Sequence, residues 1–249
     1  GAAVVGTSAV LLAAYQPCRE GSWELVWDDT ANFGPQILTR LHWSQENIAW
    51  WCSATLLRVY EPVALLLKSL LAEVCGPLEP LLLHRAAFWS HSLAVGSAFT
   101  GTWRVMASIG TGGSTFDQAL AACLGAASFA SHPLCAHSVC WASCLPYLWS
   151  ASFSWACVWA YQASCREALS VQSTTTSLLT AVLYLAAVFS KAVALPLPAV
   201  LLLLKSMTAD KAKMSWLLTQ DVLLWAGAAY AMHLVAAAAK DTGEAGEMQ

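Results

Sequence analysis

The sequence predicts an all-α integral membrane protein with about seven transmembrane helices, in a range of six to eight. The first observation behind this prediction is composition: of the 249 residues, 58% are hydrophobic and 11% are charged, and the mean hydropathy is +0.56. Soluble domains carry about 25% charged residues, so much of this surface must face lipid. The net charge of -3 and the lack of a basic stripe exclude nucleic-acid binding.

The second observation is a series of apolar runs that are candidate spans. These runs cover residues 2–15, 86–103, 118–131, 139–161, 177–190, 192–204 and 216–239. Since about 20 residues are needed to cross the hydrocarbon, the shorter runs need polar shoulders or burial against neighbours. We therefore expect one polytopic membrane domain over residues 1–239, followed by an acidic tail over residues 240–249.

The third observation is the stretch 17–85, which is charged yet rich in Trp and Leu. This combination is typical of interfacial helices, here within one large loop. If the stretch is one loop, the opposite side of the membrane collects five bases and only three acids. These are Arg104, Arg166, Lys205, Lys211 and Lys213 against Asp117, Glu167 and Asp210. The positive-inside rule then predicts that the loop is non-cytoplasmic.

The nine cysteines show no metal or redox spacing, because no CxxC occurs. Most lie in or beside apolar runs, where a free cysteine acts as a small hydrophobe. Cys18, Cys52 and Cys75 share the polar stretch, and a disulfide among them is an open alternative if that side is oxidising.

Candidate chemistry begins with the adjacent carboxylates Asp28 and Asp29. Such a pair is suited to general-base catalysis and to binding a divalent cation; the alternative is two solvated loop acids. His132 and His137 form a second cluster, which would place two imidazoles near one rim as a candidate metal site. Their alternative is ordinary hydrogen-bonded histidines.

Lys191 lies between two predicted spans on the loop side, where a lysine can bind a phosphate as a point charge. Its alternative is a lysine that snorkels to the interface. Asp221 and His233 lie twelve residues apart in the last run and cannot pair with each other. An acid within a span indicates a functional site by default, although Asp221 could also simply meet a neighbouring helix. No GxGxxG, Walker A, HExxH or GxSxG pattern occurs.

Taken in order, these motifs resemble the membrane half of the transmembrane and tetratricopeptide-repeat O-mannosyltransferases, which are C-type glycosyltransferases that use a dolichyl-phosphate sugar donor. The resemblance covers roughly residues 25–205. It is carried by Trp27-Asp28-Asp29, Tyr60-Glu61-Pro62-Val63, a looser match around His91, His132-Pro133 with Val139 and Trp141, and Ser190-Lys191 with the Leu run to Leu204. It implies that Asp28 or Asp29 is the base, with a divalent cation nearby, and that Lys191 and His132 bind substrate, Lys191 at the lipid phosphate.

The departures from the family pattern fall on its polar residues. Glu61 stands where the family has Arg, Cys135 and His137 replace a His and a Glu, and Ala192 replaces a Glu. We therefore expect a diverged and shortened form: a non-catalytic accessory or structural subunit of a larger membrane complex, in contact with lipids and other membrane subunits. The alternative is an active dolichyl-phosphate-mannose-dependent enzyme acting on Ser and Thr hydroxyls.

The two alternatives imply different membranes. A transferase belongs in the endoplasmic reticulum, whereas an accessory subunit fits an organellar membrane, thylakoid or mitochondrial. In a pigment complex, His91, His137 and His233 would be candidate axial ligands of a tetrapyrrole.

Overall fold

The computed structural model describes residues 27–57, 59–109, 113–166, 171–208 and 224–237, together with residues 13, 15, 16, 221 and 222. The part of the chain described is all-α apart from one small hairpin, which confirms the predicted helical class. The loop region contains α1 (Asp29–Phe33), α2 (Pro35–Leu38), α3 (Gln45–Trp51), the antiparallel strands β1 (Thr55–Leu56) and β2 (Val59–Tyr60), and α4 (Pro62–Cys75). The helices that follow the loop region are α5 (Pro80–Ile109), α6 (Thr115–Ala130), α7 (Pro133–Cys140), α8 (Leu145–Arg166), α9 (Val171–Ser190), α10 (Leu197–Thr208) and α11 (Leu224–Ala237).

Local sequence explains where several helices begin and end. The helix α6 starts with a capping box, in which the Ser114 hydroxyl accepts from the amide of Asp117 and the Asp117 carboxylate accepts from the amide of Ser114. Proline is the first residue of α4, α5 and α7, where its missing N–H is not needed. The helix α4 ends before Gly76, whose φ of 85° suits a residue without a side chain.

The core consists of two apolar clusters arranged along α8. The first joins α5, α6 and the start of α8, with Leu83, Phe88 and Leu145 among its buried side chains. The second joins α8 to α9, α10 and α11 through residues that include Tyr161 and Tyr184. Since α8 packs closely against both α5 and α9, it is the central helix, and its first turn carries part of the site described below.

Most predicted apolar runs coincide with helices. Run 86–103 lies within α5, run 118–131 matches α6, and run 177–190 lies within α9. Run 139–161 is divided, because α7 ends at Cys140 and a 3-10 turn, Ala142–Cys144, precedes α8. Run 192–204 begins as another 3-10 turn, Ala192–Ala194, before α10. Run 216–239 contains α11, whereas most of run 2–15 and the whole tail 240–249 lie outside the described residues.

The lengths of the helices bear on the predicted spans. Within the described ranges, no single helix is both long enough and apolar enough to cross a bilayer. The helices α6 and α7 meet that requirement only as a pair, and they are bent by 56° at the break between them. The number of spans therefore stays a prediction.

Candidate functional site

A cavity of about 340 Å³ lies where the start of α1, the hairpin, the α7–α8 junction and the end of α9 meet. It is lined by Asp28, Asn32, Leu56, Leu57, Val59, Glu61, His137, Ser138, Trp141, Ser143, Cys144, Tyr147 and Lys191. Three of the residues predicted from the sequence therefore share one pocket: Asp28, His137 and Lys191. Each of the three comes from a different part of the chain.

The two adjacent carboxylates have different surroundings. The Asp29 side chain is buried, and its Oδ1 accepts hydrogen bonds from the amide of Ser143 at 2.8 Å and from its hydroxyl at 2.6 Å. Asp28 lines the pocket, and its buried Oδ1 has no hydrogen-bond partner within the described structure. Asp28 is therefore the acid available to a ligand, and Asp29 fixes the chain beside it.

Lys191 forms an ion pair with Glu61 across the pocket wall. Their side chains are only 18% and 12% exposed, so water screens the pair weakly. The Lys191 Nζ also lies 4.6 Å from the centre of the Tyr147 ring. The lysine predicted to bind phosphate thus has its charge balanced by the carboxylate of Glu61. Glu61 stands where the O-mannosyltransferase pattern has Arg.

Lys68 is a site residue that the sequence analysis missed. It is fully buried on α4, its Nζ donates to Asn32 Oδ1 at 3.3 Å, and it lies 4.7 Å from the centre of the Phe33 ring. Burial lowers the pKa of Lys68 to about 8, although the negative charge of Glu61 opposes this shift. A lysine within the apolar run 63–71 was the signal that could have identified it.

Asn32 connects this lysine to the rest of the site. Its Nδ2 donates to the Ser143 hydroxyl at 3.1 Å and to the Asp28 carbonyl at 3.2 Å. Lys68, Asn32, Ser143 and Asp29 therefore form one chain of hydrogen bonds behind the pocket. This chain holds the segment that carries Asp28.

Aromatic rings form one side of the pocket. The Trp141 ring packs edge to face against Trp27 at 5.2 Å and against His137 at 5.0 Å, measured between ring centroids. Trp27 and Leu57 have left-handed backbone, with φ of 53° and 50°. Such a conformation costs about 1–2 kcal/mol for a residue other than glycine, so strained backbone lies on two sides of the site.

The remaining predicted histidines lie elsewhere. His132 is exposed and caps α7, because its Nδ1 accepts from the Leu134 amide at 3.2 Å. His91 is buried in the core, with its Nε2 at 3.2 Å from the Ala130 carbonyl. His233 is exposed on α11. In the ranges that the structure describes, no three His, Cys, Asp or Glu side chains group as metal ligands, so the divalent cation stays a prediction.

The structure bears on the disulfide considered among Cys18, Cys52 and Cys75 of the loop. Cys52 and Cys75 are free and exposed, the first directly after α3 and the second at the end of α4. Cys140, at the end of α7, is in a disulfide. A bridge between Cys52 and Cys75 is therefore wrong for this structure, and Cys18 lies outside the described residues.

Asp221 belongs to a second buried polar cluster. It forms an ion pair with Lys205 of α10, and Tyr161 of α8 donates a hydrogen bond to its Oδ1 at 3.0 Å. All three side chains are buried. Asp221 therefore meets neighbouring helices, as the second sequence interpretation held, and the cluster joins three helices.

Comparison with known proteins adds no relative: no protein-family model, curated protein or solved structure matches the chain. The resemblance to the O-mannosyltransferases thus rests on the order and spacing of the motifs.

Proposed function

We propose that this chain is a non-catalytic integral membrane subunit of a larger membrane assembly, descended from a C-type glycosyltransferase. The observation that carries the proposal is the ion pair between Lys191 and Glu61 in the pocket. A donor with a lipid phosphate needs an unbalanced cation at this position. Here the cation is neutralised by a neighbouring carboxylate.

The descent is supported by the meeting of distant motifs. Asp28, Glu61, His137 and Lys191 belong to four separate motifs of the family pattern, and they line one cavity. Residues that far apart in sequence have no local reason to converge. Their meeting in one cavity is explained if the cavity is the retained site of an ancestral transferase.

The loss of catalysis follows from the charges. Where the family pattern has Arg, Glu61 both removes a positive charge and balances the charge of Lys191. Among the residues that line the pocket, a phosphate would find two carboxylates, Asp28 and Glu61, and a single ammonium that is already paired. Electrostatic stabilisation is often the largest contribution to enzymatic catalysis, so its reversal argues against transfer even though Asp28 is in place.

The placement of basic and aromatic residues on α5 supports membrane embedding, although α5 alone does not meet the length and hydropathy requirement for a span. Its two arginines, Arg85 and Arg104, are 19 residues apart, which at 1.5 Å per residue is about 28 Å. The hydrocarbon core is about 30 Å thick, and long basic side chains at helix ends reach the interface. Trp89 and Trp103 lie just inside the two arginines, where aromatic residues anchor spans.

Large apolar side chains on several helices also point outward. Leu93 of α5, Leu124 of α6 and Leu178 of α9 are each more than 60% exposed. Lipid or neighbouring subunits would cover such a surface. The disulfide at Cys140 supports an oxidising compartment on the pocket side, as expected for a loop on the non-cytoplasmic face.

The test is a transfer assay with the purified full chain in detergent, using dolichyl-phosphate mannose and a Ser/Thr peptide. We expect no transfer from the native chain, and we expect the chain to co-purify in fixed stoichiometry with other membrane subunits. Transfer that disappears in Asp28→Asn would overturn the proposal.

An active mannosyltransferase is the second candidate, and Asp28 favours it. The carboxylate lines the pocket and its Oδ1 has no internal partner among the described residues, as a general base requires. Lys191 would then have to leave Glu61 for the donor phosphate. On this alternative, Glu61→Arg restores the family pattern and raises transfer, whereas Asp28→Asn with Glu61→Arg abolishes it.

A further inference from the structure

We propose that the pocket binds a small organic cation with a primary ammonium group and disfavours phosphate anions. The inference rests on the proposed function, because it names the ligand class of the same pocket. It reverses the polarity expected for a site that receives a lipid phosphate.

The charges of the pocket leave one carboxylate uncompensated. Three acidic or basic side chains other than histidine line the cavity, and two of them, Glu61 and Lys191, form an ion pair with each other. The third is Asp28. Behind the lining, Asp29 and the buried ammonium of Lys68 contribute opposite charges, and Lys68 interacts electrostatically with Glu61, Asp28 and Asp29. The cavity is therefore negative by about one charge and attracts cations.

The aromatic wall suits the same ligand. Cations are attracted to the faces of Trp and Tyr rings within about 6 Å of the centroid. Trp141 lines the pocket and packs against Trp27, the neighbour of Asp28 in sequence. A carboxylate and an indole ring that line the same cavity together suit an ammonium group.

The protein itself contains an example of this recognition. The Lys191 ammonium lies in the pocket wall, bound by the Glu61 carboxylate and positioned over the Tyr147 ring. Asp28 with Trp141 offers a second carboxylate and a second ring, without an ammonium of the chain. The ammonium group of the ligand would bind the Asp28 carboxylate as the Lys191 ammonium binds the Glu61 carboxylate.

Hydrogen bonding favours a primary over a quaternary ammonium. A primary ammonium has three donors and no acceptor, and the lining residues Asp28 and Ser138 carry a carboxylate and a hydroxyl, both of which can accept hydrogen bonds. A volume of about 340 Å³ accommodates an amine with a short carbon chain. Phosphate has only acceptors when fully ionised, so it would face Asp28 without a compensating charge.

The experiment is saturation-transfer NMR on the purified full chain in detergent, with butylammonium and methyl phosphate as probes. We expect transfer to butylammonium and none to methyl phosphate. Asp28→Asn should weaken cation binding by about tenfold or more, as expected for a hydrogen bond to a charged group. The variant keeps the Asp28 carbonyl, which accepts from Ala31 and Asn32 and holds the turn.

Two further variants make the result decisive. Glu46→Gln removes an exposed acid outside the pocket and should leave cation binding unchanged. Glu61→Gln releases Lys191, so it should weaken cation binding and allow methyl phosphate to bind. The inference is wrong if native protein prefers methyl phosphate, or if Asp28→Asn and Glu46→Gln behave alike. Sugar transfer is measured separately, so failure of the proposed function and failure of this inference give different results.

Discussion

The Asp29 carboxylate accepts both the amide and the hydroxyl of Ser143, a residue 114 positions further along the chain. The bond ties the first helix of the loop region to the turn before the central helix α8. Because it is buried and charge-assisted, it belongs to the stronger class of hydrogen bonds in proteins. The neighbouring Asp28 owes its position in the pocket to this anchor.

Ser143→Ala should destabilise the protein through this contact. Loss of a hydrogen bond to a charged group costs about 1.5–3 kcal/mol, and the Asn32 side-chain amide also loses one of its two acceptors. The measurement is denaturant unfolding in detergent. Ser53→Ala is the matched control, because Ser53 is exposed and bonds only to its own helix. Equal shifts in the two variants would contradict the anchoring role of Ser143.

Gly34→Ala should disturb the same segment for a steric reason. A Cβ at Gly34 would lie 2.3 Å from the Thr30 carbonyl oxygen, a backbone atom that cannot move aside by itself. Overpacking of this kind costs about 1–3 kcal/mol. We expect a lower melting temperature and a weaker butylammonium signal.

Gly125→Ala is the control for that variant. Gly125 lies within α6 and has no atom within 4 Å of its added Cβ. Alanine should therefore stabilise the helix by about 0.5–1 kcal/mol. A destabilised Gly125→Ala, or an unaffected Gly34→Ala, would show that the steric argument fails.

Lys68 should give stability an unusual dependence on pH. The unfolded chain keeps the Lys68 proton up to its ordinary pKa of 10.5, whereas the folded protein releases it near 8. The unfolded state then binds more protons between these values, so stability rises with pH across that window. The full effect is about 3 kcal/mol.

The variant Lys68→Met tests this dependence. Below pH 8 it should be more stable than Lys68→Arg, because an arginine stays charged when buried. Unfolding curves from pH 7 to pH 10.5 should converge for native protein and Lys68→Met as the native lysine loses its proton. Parallel curves over this range would exclude a lowered pKa for Lys68.

Asp221→Asn should be the most destabilising change in the second buried cluster. It leaves Lys205 charged, buried and without its carboxylate, and breaking a buried ion pair in this way costs about 3–5 kcal/mol. Adding Lys205→Met should restore most of the loss. Glu46→Gln breaks the exposed pair with Arg40 and should change stability by less than about 1 kcal/mol.

Much of the fold could be predicted from the sequence, because apolar runs and helix signals are local. Run 118–131 matched α6, and Pro133 marked the start of α7. The break between α7 and α8 was missed because residues 139–161 carry no charged side chain and keep a high mean hydropathy through the break. Hydropathy alone does not report that a short 3-10 turn interrupts such a run.

The site was predictable only in part. Asp28, His137 and Lys191 were identified from motifs, and they meet in one pocket. The separate roles of Asp28 and Asp29 depend on Ser143, and the neutralisation of Lys191 depends on Glu61. These partners lie more than a hundred residues away. No pattern within a window of sequence can report such pairing.

The ion pair between Glu61 and Lys191 also has a consequence for synthesis. Its two residues are separated by 130 positions, and ribosomes add about 5–20 residues per second. Glu61 is therefore made on the order of ten seconds before Lys191 exists. During that interval Glu61 lacks its partner, so a nascent chain stalled before residue 191 would present a more acidic surface here than the finished protein does.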